Sequence, residues 1–283
     1  MAMSHQTTQK IAFALLGLAT IIVVAPVLIV AGYIVFQGIK AISWEFLTAM
    51  PSGGMKEGGI LPAAVGTVVL AFGTAIAAIP LGIAAAIYLA EYARDTWLTR
   101  AIRLAIINLA GVPSVVYGLF GLGLFVLFLG FGTSILAGSL TLGLLTLPVM
   151  ISTAEEAILA VPQSFRVVSI SLGGTKWQTI RHQVLPQALP GIITGIILGL
   201  ERAAGETAPI LFTAAAFYLP HLPRSLFDQT MALPYHLYVI STQVPGMPIE
   251  IQYGTALVLL ALVLSMNFIA TLIRSHFRRR RQW

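Results

Sequence analysis

Glu201-Arg-Ala-Ala-Gly-Glu-Thr-Ala-Pro-Ile-Leu-Phe212 sets three ionisable side chains, Glu201, Arg202 and Glu206, inside a run that is otherwise apolar from about 191 to 217. A run of that length crosses a bilayer as a helix. An ionised group at bilayer depth is costly, so these three need partners or a polar ligand and face a protein interior or a pathway rather than lipid. On a helix, Arg202 and Glu206 share a face at contact distance, whereas Glu201 points roughly 100° away from Arg202.

The rest of the chain agrees with a membrane reading. Hydrophobic residues make up 58% and charged residues only 9% of the 283, against about a quarter charged in soluble domains, and the mean hydropathy is +0.92. Six runs reach spanning length, at about 11–36, 60–90, 102–131, 134–151, 189–217 and 253–273. The expectation is an all-α, polytopic membrane protein of six transmembrane helices, one membrane domain over residues 1–283. Pro62, Pro80 and Pro113 fall inside runs, so kinked or broken helices are expected. The first run, Ile11 to Phe36, is too long for a secretion signal and reads as an uncleaved first helix.

Basic residues orient the chain. With both termini in the cytoplasm, twelve Lys and Arg lie inside (Lys10, Arg94, Arg100, Arg103, Arg166, Lys176, Arg181, Arg274 and Arg278 to Arg281) and three outside (Lys40, Lys56 and Arg224). The formal charge of +6 is concentrated in those inner flanks. It reads as topology anchoring against the lipid bilayer, not as a nucleic-acid surface. Absence of cysteine removes disulfides, thiolate catalysis and cysteine metal sites. His5, His182, His221, His236 and His276 show no metal-ligand spacing and are expected outside the membrane core, so no metal site and no catalytic residue is assigned.

Three connections exceed a turn. The glycines of Pro51–Gly59 predict a mobile outer loop beside a short interfacial helix anchored by Trp44 and Phe46; the outer segment from about 218 to 252 is too apolar for a solvated tail, and Leu233–Ile240 is expected to pack on the bundle mouth. The inner connection, about 152–188, is the most informative. Ser152 or Thr153 is placed to cap a helix carrying Glu155 and Glu156; Pro162 interrupts; a short helix then runs to Gly173-Gly174, and another starts at Thr175 before Leu185-Pro186. Two short helices joined by glycines make a compact cytoplasmic projection, suited to docking.

This region resembles the cytoplasmic signature of ATP-binding-cassette importer permeases, Glu-Ala-Ala ahead of a glycine and Ile-x-Leu-Pro beyond it. Gly173 and Leu185-Pro186 keep that spacing, while Val167, Val168 and Ser169 stand where Glu-Ala-Ala would be. The likeness extends through Leu172–Ile180, Ala188–Leu198 and Arg202–Ala214 and is similar to the PstA-type permease family of phosphate importers, with Gly205-Glu-Thr-Ala-Pro209 the most distinctive piece. The resemblance implies a type I, MetI-like importer permease in the bacterial cytoplasmic (inner) membrane. It also implies a second homologous permease (PstC type), two ATPase subunits (PstB type) that bind ATP and magnesium, and an external phosphate-binding protein (PstS type). The chain itself is expected to hold no cofactor and to hydrolyse nothing, since Gly173-Gly174-Thr175-Lys176 lacks the order of a phosphate loop. Arg166, Ser169, Leu172, Gly173, Gly174, Lys176, Leu185 and Pro186 form the expected ATPase coupling loop.

For the intramembrane charges, the functional reading makes Arg202 an anion contact in the pathway, Glu206 its modulator and Thr207 a hydroxyl donor. The plainer alternative is a structural pair in which Glu206 only neutralises Arg202. Glu201 either pairs with an arginine of the other permease or is buried protonated. Rival functions are a permease for molybdate or tungstate and an ion-gradient-driven secondary transporter, which the docking projection disfavours.

Overall fold

A computed structural model describes residues 5–279; Arg280 and Arg281 and the side chains of His5, Lys10, His276, Arg278 and Arg279 fall outside that description. Twelve helices follow one another: α1 (His5–Gly38), α2 (Trp44–Thr48), α3 (Leu61–Ile87), α4 (Trp97–Ala110), α5 (Ser114–Gly121), α6 (Ile135–Leu159), α7 (Gln163–Ser171), α8 (Lys176–Thr179), α9 (Leu185–Gly205), α10 (Ala208–Thr213), α11 (Leu233–Thr242) and α12 (Ile249–Arg279). Two-residue strands β1 (Pro51–Ser52) and β2 (Glu57–Gly58) pair antiparallel. Helical π turns cover Tyr88–Tyr92 after α3, Leu122–Phe128 after α5 and Ile180–Val184 between α8 and α9. Among the described residues, five helices are long and apolar enough to cross a membrane, and six spans result if the bent pair α4–α5 counts as one.

The centre of the bundle is α3, α6 and α9. Small residues let their backbones approach closely, which is how helices associate where lipid removes the hydrophobic drive. A Cβ on Gly191 would sit 2.4 Å from the Ala157 Cβ, one on Gly195 2.9 Å from the Thr153 Cβ, and one on Gly199 2.5 Å from the Met150 Cε. Buried threonines return their hydroxyls to their own helix, as Thr67 does to the Ala63 carbonyl and Thr74 to that of Leu70, so neither leaves an unpaired donor. The apolar α1 is exposed along its length and packs on α12, where Tyr33 meets Tyr253 edge-on with centroids 5.3 Å apart.

Two runs that read as single spans are broken. The run at 102–131 turns by 103° between α4 and α5, where Gly111-Val112-Pro113 intervenes and Pro113 holds an extended ψ of 138°. The run at 189–217 ends its helix at Gly205; Glu206 is extended (φ −74°, ψ 134°), and α10 restarts with Pro209 in its first turn, where a missing N–H costs nothing.

The inner boundaries also shift. Ser152 and Thr153 lie within α6, which continues to Leu159 because no breaker occurs before Pro162, so neither caps a helix and Glu155 lies in the last turns. Leu185-Pro186 likewise starts α9 without a break, because the π turn Ile180–Val184 joins it to α8.

Outside, the glycines of 53–58 shape a paired hairpin. Gly53, Gly54, Met55 and Gly58 all take positive φ to close the β1–β2 hairpin, Met55 is buried, and the Tyr218 hydroxyl donates to the Pro51 carbonyl at 3.0 Å. The segment before α11 is woven into the bundle by its backbone: Ser134 N–H donates to Thr213, Ile135 to Asp228, Leu136 to Leu226 and Ala216 to Thr230. Two backbone N–H groups, of Arg224 and Ser225, hold the Asp228 carboxyl below its ordinary range. Leu233–Ile240 does pack at the mouth, and it carries His236 inward. His236 is 2% exposed, its Nδ1 has no partner among the described residues, and desolvation lowers its pKa to about 4.

Candidate functional site

Helix α9 turns Ala188, Ile192, Gly195, Gly199 and Ala203 inward, all buried. Leu198 and Gly205 lie on the opposite, exposed side, and Arg202 and Glu201 flank that open stripe from its two edges. Arg202 and Glu206 stay in register across the helix end. The Arg202 Nε lies 3.4 Å from the Glu206 Oε1, with the side chains 33% and 16% exposed. That contact is long for a charge-assisted hydrogen bond. Among the described residues the guanidinium makes no other hydrogen bond, so its two terminal nitrogens are left as unpaired donors on a partly exposed side chain.

The helix break at Glu206 and Thr207 shapes the rest. Glu206 lines a narrow cleft with Thr67, Leu142, Ile210 and Pro234, so α3, α6, α10 and α11 all contribute to the cleft it faces. Thr207 is the first cap residue of α10, yet its side chain makes no capping bond, and its hydroxyl is unpaired among the described residues. Arg202 and Glu206 are thus brought together, with Thr207 following Glu206 at the helix break. Glu201 is not: its Oε1 is buried without a hydrogen-bond partner among the described residues.

Tyr117 and Gly118 belong to this neighbourhood and were not legible in sequence. Tyr117 is buried, donates its hydroxyl to the Leu109 carbonyl at 2.9 Å, and lies close enough to Arg202 to feel its charge. A Cβ on Gly118 would come within 2.9 Å of the Pro209 Cα and 3.1 Å of the Ala208 carbonyl oxygen, so α5 packs directly on the restart after the break. Within an apolar run nothing marks either residue. Asn108 of α4 is exposed.

At the inner end the expected coupling residues divide. Leu172 (84% exposed), Gly173 and Gly174 form the tip: Gly173 takes a φ of +84° that a side chain would resist, and Gly174 N–H closes on the Ser169 carbonyl at 3.0 Å. Ser169 and Thr179 join their hydroxyls at 2.8 Å, and a capping box between Thr175 and Gln178 starts α8. Lys176 and Arg166 point back toward α3. The Lys176 ammonium sits 4.7 Å over the Tyr92 ring. Arg166 is buried against Glu91 at 2.6 Å (side chains 11% and 8% exposed) and also donates to the Val161 and Ile158 carbonyls. Leu185 and Pro186 lie in the first turn of α9, apart from the tip. Glu91, Arg103 and Glu155 are functional neighbours that spacing could not reveal, being 75 and 52 positions from their partners.

Known proteins share this architecture. Residues 78–283 match the family described as binding-protein-dependent transport system inner membrane component. The chain is 32% identical to the probable ABC transporter permease protein YqgI of Bacillus subtilis, covering 95% of each. It is 37% identical to the phosphate transport system permease protein PstA 1 of Mycobacterium tuberculosis, over 80% of this chain and 72% of that one. Among solved structures, a bacterial ABC transporter that imports alginate aligns with a TM-score of 0.65 at 16% identity over 94% of this chain and 97% of that one. The MetNI methionine transporter, in an inward-facing conformation, aligns with 0.64 at 16% over 77% and 95%.

Proposed function

Since the chain belongs to the family of binding-protein-dependent transport system inner membrane components, we propose that it is one permease half of an ATP-driven inorganic phosphate importer. Relatives named as phosphate permeases, 37% identical over 80% of the chain and 36% over 90%, support the substrate. In this reading it assembles with a second homologous permease of the PstC type, two PstB-type ATPases and an external PstS-type phosphate-binding protein. It sits in the bacterial inner membrane with both termini cytoplasmic. ATP and magnesium are held by the ATPases, and this chain makes and breaks no bonds.

The observation that carries the reading is the free edge of Arg202 on the open side of α9. A planar guanidinium with two unpaired terminal nitrogens matches two oxygens of a tetrahedral oxyanion. Glu206, at 3.4 Å, is near enough to restrain that attraction and too loosely joined to abolish it. A pathway has to release what it binds. The Thr207 hydroxyl, at the helix break that follows Glu206, is assigned as a further donor. Loss of ATP-dependent phosphate uptake by the reconstituted complex carrying Arg202→Ala or Arg202→Lys, with assembly verified separately, is the expected result; full uptake in both variants makes the pair purely structural. A substrate panel that includes molybdate and tungstate tests the oxyanion.

A further inference from the structure

The inner end of α3 carries two arginine contacts that the pathway does not use. In the π turn Tyr88–Tyr92, Ala93 N–H reaches back to the Tyr88 carbonyl at 2.8 Å, which deprives the Leu89 carbonyl of its ordinary helical partner. Arg103 of α4 takes that place: its Nη2 donates to Leu89 at 2.9 Å, while its Nε donates to Glu155 of α6 at 2.8 Å. On the same turn, Glu91 accepts from the Nε and Nη2 of Arg166 in α7, at 3.0 and 2.6 Å. Arg166 also donates to the Ile158 carbonyl in the last turn of α6, where a cation is favoured, at 3.0 Å, and to the Val161 carbonyl just beyond that helix at 2.7 Å.

The two helices gripped in this way bury little of themselves: among the described residues no whole residue of α7 is buried and only Thr99 of α4 is, although Phe165 of α7 packs against the core around Ile158 and Val184. Each is pinned by one multiply bonded guanidinium to the same turn of α3 and to the end of α6. Beyond α4 the chain bends by 103° into α5, and α5 lies against Ala208 and Pro209 beside Arg202.

We propose that the turn Tyr88–Tyr92 is a mechanical joint. Through Arg166 it receives displacement of the α7–α8 projection, and through Arg103 it delivers that displacement to α4, α5 and the helix break at the anion site. Arg166 and Arg103 are positioning residues, acting through Glu91 and Leu89 and touching no substrate. The inference rests on the reading of this chain as an ATP-driven permease half.

Because the chain has no cysteine, single labels are clean. Spin labels at Ser171→Cys in α7 or Leu119→Cys in α5, each paired with Leu264→Cys in α12, report the two ends in the reconstituted complex with and without ATP and vanadate. In the parent, both distances change on nucleotide binding. In Arg166→Ala and Glu91→Gln, the α7 change persists, the α5 change is lost, ATP is still hydrolysed, and phosphate uptake falls roughly tenfold. Arg166→Lys faces Glu91 but cannot also reach both carbonyls, and gives an intermediate α5 change; it carries the test if the alanine variant does not assemble. An α5 change undiminished in Glu91→Gln and Arg166→Lys overturns the joint whatever the substrate. A parent complex that moves and imports molybdate but no phosphate overturns the substrate reading alone.

Discussion

Two arginine–glutamate pairs sit at opposite ends of the molecule, and they differ in how completely the arginine is used. Arg166 meets Glu91 at 2.6 Å with side chains 11% and 8% exposed, and two backbone carbonyls absorb more of its donors. Arg202 meets Glu206 at 3.4 Å with 33% and 16% exposed, through Nε alone. The first guanidinium is saturated and the second is held in reserve. Saturation suits a structural joint, whereas a reserved donor edge suits a ligand that must come and go.

The sharpest way to break this contrast is to remove each arginine and measure stability. Arg166→Ala strands Glu91 as a buried, unpaired carboxylate, an expected loss of about 3–5 kcal/mol that appears as a lower melting temperature in detergent. Arg202→Ala is expected to stay within about 1 kcal/mol of the parent, since its pair is long and partly exposed. Equal losses would erase the distinction.

Transport reverses the emphasis. Arg202→Ala is expected to lower phosphate uptake roughly 100-fold and Arg202→Lys roughly tenfold, because an ammonium keeps the charge but not the paired donors. Both keep the parental melting temperature.

Acid isolates a third buried group from the two pairs. With the pKa of His236 lowered to about 4 in the fold and near 6.5 when unfolded, the folded state binds fewer protons. Stability therefore falls as pH drops below about 6.5 and levels off near the folded value, costing about 2 kcal/mol between pH 7 and pH 5. Replacement His236→Leu should flatten that limb of the pH–melting curve; an unchanged limb would shift the cause to other groups.

The smallest effect is expected from Glu206→Gln. Losing the restraint on Arg202 should tighten phosphate retention and change uptake by roughly two- to fivefold, with the phosphate-over-sulfate preference narrowed because a charged acceptor for a protonated oxygen is gone. An unchanged preference assigns Glu206 to restraint alone.

How much of this was legible depended on range. Apolar run length revealed the spans, and a four-residue spacing put Arg202 and Glu206 together, since helix geometry survives even where α9 ends at Gly205. Local cues also found the αL glycine at 173 and the cap at Thr175. Whatever needed a partner from far along the chain was hidden. Glu91 shows no sign in sequence that it faces Arg166, and His236 reads as a surface residue until α11 folds into the mouth. In the outer hairpin the glycines give a mobile-loop expectation from sequence, and their φ values of +55° to +77° add that they close a tight turn. Composition cannot separate those two uses.

The glycines of α9 carry a different consequence. Gly191, Gly195 and Gly199 recur at the helical repeat, and Ala157, Thr153 and Met150 of α6 sit against these notches. The arrangement works like a toothed rack. Sliding α9 past α6 by one residue would bring isoleucine and leucine onto the teeth, and the next matching position is a full step of four residues, about 6 Å away. The expectation is that these two helices travel as one block when the protein changes conformation, carrying Arg202 with α6.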